Sequence, residues 1–183
     1  MLLIAMAGLP GTGKSAVARA IVARLGCPRF DKDRVREALF GPHAVEYSAA
    51  QDDVVVRALL ASVAYTARTQ RFAQALLDGR TFTRRAHVAE LLAFAEEHTI
   101  EVALVECQCR DVTARARIER DRESGAHVAA NRDLDLYERL RAAREAIEVP
   151  HLVLDTDERT PAELARVVIE ALGLASASHA PEP

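Results

Sequence analysis

A chain of 183 residues, 50% hydrophobic and 28% charged, is sized for one folded domain, which excludes a disordered or collagen-like polymer. Its 24 basic and 27 acidic residues leave a net charge of −3, so no global basic field advertises nucleic acid or an anionic membrane. Cys27, Cys107 and Cys109 are too few and odd in number for a secreted disulfide framework, and they fit a reducing, cytoplasmic compartment.

The elements alternate along the chain. Leu2 to Ala7 is a continuous apolar run ended by glycine, as expected of a buried parallel strand, and too short for a signal segment or a membrane span. Ser15 to Leu25 reads as a helix closed by Gly26, and Cys27 to Asp31 as a short second strand. Ser48-Ala49-Ala50-Gln51 matches a capping box ahead of a long helix to about Gln74. Ala75 to Asp78 is a short buried strand. Thr83 is the expected cap of a helix to about His98, and Ile100 to Cys107 is another strand. Asp111 opens a helix carrying Arg115, Arg117 and Arg120. A polar stretch from Ser124 to Arg132 follows, then helix from Asp133 to Ala146. His151 to Asp155 is the last strand. Thr160-Pro161-Ala162-Glu163 is a capping box with proline at the first helical position, opening a helix to about Leu172. Such alternation predicts an α/β domain of three layers, about five parallel strands with helices on both faces. One domain over residues 1–173 is expected, with an acceptor-binding insert at about 39–74, a small helical lid at about 121–135 and a tail from 174 to 183.

Gly8-Leu9-Pro10-Gly11-Thr12-Gly13-Lys14-Ser15 fits the P-loop pattern G-x-x-x-x-G-K-[ST], between a buried strand and a helix. Glycines let successive backbone N–H groups turn toward an anion, and the helix N-terminus adds partial positive charge. Lys14 can reach the β- and γ-phosphates of ATP, and the Ser15 hydroxyl can ligate Mg²⁺. Of the 24 basic residues 22 are Arg; the only lysines are Lys14 and Lys32, so a position that keeps Lys is informative. The spacing is not G-x-G-x-x-G, which argues against a dinucleotide fold.

Asp31 and Asp33 end the second strand, where ligands sit in open α/β sheets. One acid can lie near Mg²⁺ and one near an acceptor hydroxyl; Asp33 can equally cap the next helix. Asp78 ends an apolar strand before Gly79, as a Mg²⁺-anchoring carboxylate does, although a turn Asp before Gly has the same pattern. Arg34, Arg36, Arg80, Arg84 and Arg85 follow these acids. Arg117 and Arg120 share a helix face before the polar stretch, and Arg132 lies beyond it. Planar guanidinium groups clamp transferring phosphoryl oxygens and anionic substrates. Arg115, Arg139, Arg141, Arg144 and Arg166 read as solvated surface residues. Cys107 and Cys109 read as buried or strand-end thiols, and Tyr47 and Tyr65 as core packing.

Together GLPGTGKS, FDKDRVREALFG, ALLDGRTFTRR, the Arg117/Arg120 pair, AHVAANRD and LDTD resemble the P-loop small-molecule kinases. That family includes shikimate, gluconate and adenylylsulfate kinases, chloramphenicol phosphotransferase and the zeta toxins. The closest likeness is to a subgroup labelled predicted kinase or AAA family ATPase, and it covers about Leu2 to Leu172. The resemblance implies a three-layer P-loop fold, ATP and Mg²⁺ as cofactors, and a small-molecule hydroxyl as acceptor. It implies nucleotide contacts from Gly8, Pro10, Gly11, Thr12, Gly13, Lys14, Ser15, Ala16, Arg117 and Thr156, with Asp157 near the base. Asp33 would be the base toward the acceptor hydroxyl, Arg36 and Arg80 would bind substrate, and Ser15, Asp31 and Asp78 would serve Mg²⁺. Lys14, Arg120 and Arg132 would act on the ATP phosphates. The region from Leu39 to Phe72 carries no signature of shikimate, gluconate or adenylylsulfate, so the acceptor does not carry over. The alternatives are a kinase of a nucleotide sugar or polynucleotide 5′ end, and a nucleotide-binding regulatory module with little turnover. No membrane or nucleic-acid partner is expected, and the chain is expected to be a monomer or homodimer.

Overall fold

The computed structural model describes residues 1–41, 43–124 and 133–175. The expected lid falls mostly outside them, as do Arg132 and the tail from 176 onward. Five strands, β1 (Leu2–Ala7), β2 (Arg29–Asp31), β3 (Gln74–Asp78), β4 (Glu101–Gln108) and β5 (Leu152–Asp155), form one parallel sheet in the order β2-β3-β1-β4-β5. The helices are α1 (Lys14–Leu25), α2 (Lys32–Phe40), α3 (Ala49–Thr69), α4 (Arg85–Glu97), α5 (Asp111–Ser124), α6 (Leu134–Ala142) and α7 (Pro161–Ala171).

The central strand β1 is apolar along its length because both its faces are covered. Ile4 and Met6 pack with Val17, Ile21, Leu164 and Val168 of α1 and α7. Leu3 and Ala5 pack with Val55, Leu59, Val88 and Leu91 of α3 and α4. Each fully buried aliphatic side chain contributes about 1.5–3 kcal/mol, which makes this doubly covered strand the stable floor on which the P-loop stands. Among the described residues no helix is long and apolar enough to cross a membrane.

Several local expectations hold and others shift. Gly26 closes α1 in the left-handed conformation, and Thr160 with Glu163 forms a complete capping box on α7. Asp31, not Asp33, caps α2, its side chain accepting from the backbone N–H groups of Asp33 and Arg34. Ser48 caps α3 through the N–H of Gln51, but the Gln51 amide takes up the N–H groups of Glu46 and Tyr47 and the Ala44 carbonyl, so the box is not reciprocal. The expected cap Thr83 is buried and pairs with the Thr81 hydroxyl; α4 starts two residues later without a side-chain cap. Gln70, in the left-handed region, ends α3 short of Gln74. Tyr65 is 63% exposed and is no core residue. Arg144 is no solvated bystander: with Gln108 it satisfies the buried carboxylate of Glu106 and so ties the chain after α6 to β4.

Candidate nucleotide and acceptor site

The P-loop leaves the carboxyl end of β1 and turns into α1. Gly8 has a φ of +127°, and a Cβ there would lie 2.3 Å from the Cys107 carbonyl oxygen, so only glycine allows β1 and β4 to approach at this point. Thr12 Oγ1 donates to the Leu9 carbonyl at 2.8 Å, and Lys14 Nζ donates to the same oxygen at 2.7 Å. The loop thus closes over its own lysine, which is buried.

Ser15 Oγ lies 3.4 Å from Asp78 Oδ1, joining the start of α1 to the end of β3. Asp78 also accepts from the N–H of Gly79 at 2.8 Å. The β2–β3 register sets Asp31 beside Asp78, and Arg29 bridges the two acids. Its Nη2 is 2.7 Å from Asp78 Oδ2 and 2.5 Å from Asp31 Oδ2, with Nε 3.3 Å from Asp78 Oδ2. Arg29 belongs to no motif of the sequence. The available signal was its spacing of two from Asp31, which puts both side chains on the same face of the strand. Asp31 is therefore committed twice, to Arg29 and to the α2 cap.

Two cavities flank the P-loop. One, of about 330 Å³, is lined by Gly11, Gly13, Lys14, Ser15, Ala16, Arg117, Arg120 and Thr156, and adds Arg19, Asp121 and Arg159, which no motif marks. Arg117 holds it together. Its guanidinium donates to Thr156 Oγ1 at 3.0 Å, to the Thr156 carbonyl at 2.7 Å and to the Gly11 carbonyl at 3.4 Å, while Thr156 Oγ1 donates to the Thr12 carbonyl at 2.9 Å. Arg117→Ala is expected to raise the Kd for MgATP about tenfold, the scale of one or two charge-assisted hydrogen bonds, with the fold retained. Calorimetric titration checks this; an unchanged Kd would reduce Arg117 to packing.

The second cavity, of about 320 Å³, is lined by Pro10 of the P-loop and by Asp33, Arg36 and Arg80, and adds Lys32, Asp52, Arg84 and His87. Arg36, 3% exposed, places Nη1 3.5 Å from Asp33 and Nη2 against Asp52. Lys32 Nζ reaches Asp52 at 3.1 Å, and the Arg36 guanidinium lies 4.9 Å from the centre of the Tyr47 ring. Gly79 makes room for Lys32: its φ is +93°, and a Cβ there would lie 2.8 Å from Lys32 Cβ. The second of the two lysines thus lies in the second cavity. Asp52 had no sequence signal, because the α2–α3 contact that brings it here spans about twenty residues.

The thiols are not chemically poised. Burial pushes Cys107 up to about 12 and also raises Cys109, whose Sγ lies 3.9 Å from the Gly11 carbonyl oxygen. Among the described residues no cluster of three His, Cys, Asp or Glu could hold a metal ion by itself.

This arrangement of strand, anion-cradling loop, Ser15–Asp78 pair and second cavity defines a P-loop kinase fold. The chain belongs to the AAA domain family, whose model matches residues 3–150. No curated protein matches its sequence. Among solved structures it is similar to a kinase candidate from Chloroflexus aurantiacus (17% identity, 92% of this chain and 97% of that one, TM-score 0.74). It is also similar to the APS kinase of Mycobacterium tuberculosis in complex with AMPPNP and APS (21%, 93% and 96%, TM-score 0.68). A third likeness is to a gluconokinase from Sinorhizobium meliloti (17%, 93% and 90%, TM-score 0.60). At these identities the likeness establishes the fold.

Proposed function

We propose that this protein is an ATP-dependent phosphotransferase that moves the γ-phosphoryl group of MgATP to a hydroxyl of a small molecule. One observation carries the reading: two cavities of similar size flank one P-loop, and Asp33, a carboxylate suited to receive a proton, lines the second together with Pro10 of that loop. ATP fits the first, with its phosphates on the loop N–H groups and Lys14, and Arg120 on the cavity wall beside them. An alcohol in the second attacks the γ-phosphorus. The bond from that phosphorus to the ADP oxygen breaks, and the alcohol proton passes to Asp33. Mg²⁺ bound with the nucleotide would supply charge neutralisation at the phosphates. Ser15 Oγ and Asp78 are hard oxygen donors 3.4 Å apart and fit such an ion, which binds one or two protein oxygens plus phosphates. Asp31, already paired and capping, is left to structure.

The test is transfer of labelled γ-phosphate into pooled hydroxylated metabolites and antibiotics, with Lys14→Ala as the blank. A labelled product absent from the blank is expected. Stabilisation by MgATP with no product from any alcohol would replace this reading with a binding module.

A further inference from the structure

The second cavity has two electrically different ends. At the α2–α3 end the carboxylates of Asp33 and Asp52 pair with Arg36 and Lys32, and a third acid, Asp53, lines the same end. At the end formed by the β3–α4 connection the lining residues are Arg80, Thr81, Thr83, Arg84 and His87, with no carboxylate among them. Arg80 pairs with Glu90, which does not line the cavity, at 2.7 Å. Arg84 is exposed and has no ion pair among the described residues. His87 senses this imbalance: its pKa is lowered first by burial and then by Arg80, with Arg84 and Lys32 adding and Glu90 opposing.

A second observation is independent of charge. Two buried nitrogens on cavity-lining residues, His87 Nδ1 and Arg36 Nε, have no hydrogen-bond partner among the described residues. Buried polar groups are costly when unpaired, so His87 Nδ1, at the β3–α4 end, is placed for a ligand that brings the missing atom, whereas Arg36 Nε belongs to the α2–α3 end. A neutral imidazole still offers one N–H, and two arginines beside it make a site for oxygens carrying negative charge.

We propose that the acceptor is an anionic alcohol, whose phosphate, sulfate or carboxylate group sits at the Arg80–Arg84–His87 end while its hydroxyl faces Asp33. The inference rests on the phosphotransferase reading for the hydroxyl and on the cavity alone for the anion. It makes Arg84 a specificity residue, because it adds a cation where no protein acid neutralises it.

The first arm of the test uses protein saturated with MgAMPPNP, so that the P-loop is filled, and titrates inorganic sulfate by calorimetry. One sulfate per chain is expected, with binding weakened at least tenfold in Arg84→Ser while MgAMPPNP binding stays unchanged. Absence of sulfate binding, or equal binding in Arg84→Ser, would overturn the subsite. The second arm compares MgATP-dependent transfer to glycerate against glycerol, and to gluconate against glucitol. Preference for the charged member by tenfold or more in kcat/KM, reduced in Arg84→Ser, supports the proposal. Transfer to the neutral members equally well overturns it and keeps the phosphotransferase reading. Sulfate binding that depends on Arg84, without transfer to any alcohol, keeps the anion subsite and removes that reading.

Discussion

Asp33→Asn is expected to bind MgATP as the wild type does and to lose phosphoryl transfer by about 10²–10⁴-fold, the range over which a positioned general base acts. The side chain of Asp33 is 12% exposed and lies 3.5 Å from Arg36 Nη1, which holds it at the wall of the second cavity. The α2 cap belongs to Asp31, so the substitution leaves the start of that helix intact. This separates the two roles that the sequence left joined at Asp33. Asparagine keeps the shape and an oxygen toward Arg36 but cannot accept the alcohol proton. Single-turnover transfer, with ATP binding measured alongside, is the check. A variant that turns over at near the wild-type rate would remove Asp33 from the chemistry and leave it as a partner of Arg36.

What the sequence makes legible here follows from interaction range. The P-loop is a local pattern whose glycines, lysine and serine lie within eight residues, and the buried strand before it is an unbroken apolar run. Both could be read directly, as could the parallel α/β sheet, because period and alternation are local properties. The capping of α2 was ambiguous because Asp31 and Asp33 are both good caps two residues apart; the strand end decides it, since Asp31 still has extended backbone. Thr83 failed as a cap because its hydroxyl pairs with that of Thr81 two residues away while the fold buries it and the N–H of Glu145 reaches its carbonyl. Asp52 carried no local signal, and the spacing of Arg29 from Asp31 placed the two on one face of a strand without showing the pairing with Asp78. Asp52 reaches the site from a helix about twenty residues downstream, and Arg29 acquires its meaning only when β2 pairs with β3. The scarcity of lysine was the one compositional signal that pointed past the P-loop, and the structure sets Lys32 on Asp52 and against Gly79.

Arg29→Met is expected to cost about 3–5 kcal/mol of stability, the range for breaking a buried ion pair by removing one partner. The Asp78 side chain is 0% exposed, and its counter-charge comes from an arginine that is itself only 14% exposed. Methionine fills the space of the stem but leaves two carboxylates side by side without their cation. Arg29→Met/Asp78→Asn separates charge from packing. If the penalty is an unpaired buried charge, the double variant recovers part of the lost stability, and the two substitutions are non-additive. A double variant less stable than Arg29→Met by the full cost of Asp78→Asn alone would show that the guanidinium contributes packing only. Metal dependence gives a second reading of the same pair. Arg29 neutralises the acid that faces Ser15, so wild-type protein is expected to gain little stability from Mg²⁺ without nucleotide. Arg29→Met should gain measurably more, because the freed carboxylates can take the ion directly. Equal gains in both proteins, in thermal unfolding with and without Mg²⁺, would show that Arg29 does not compete for that position. In the native chain the guanidinium thus keeps the acids of β2 and β3 together and holds Asp78 toward Ser15 before any nucleotide arrives.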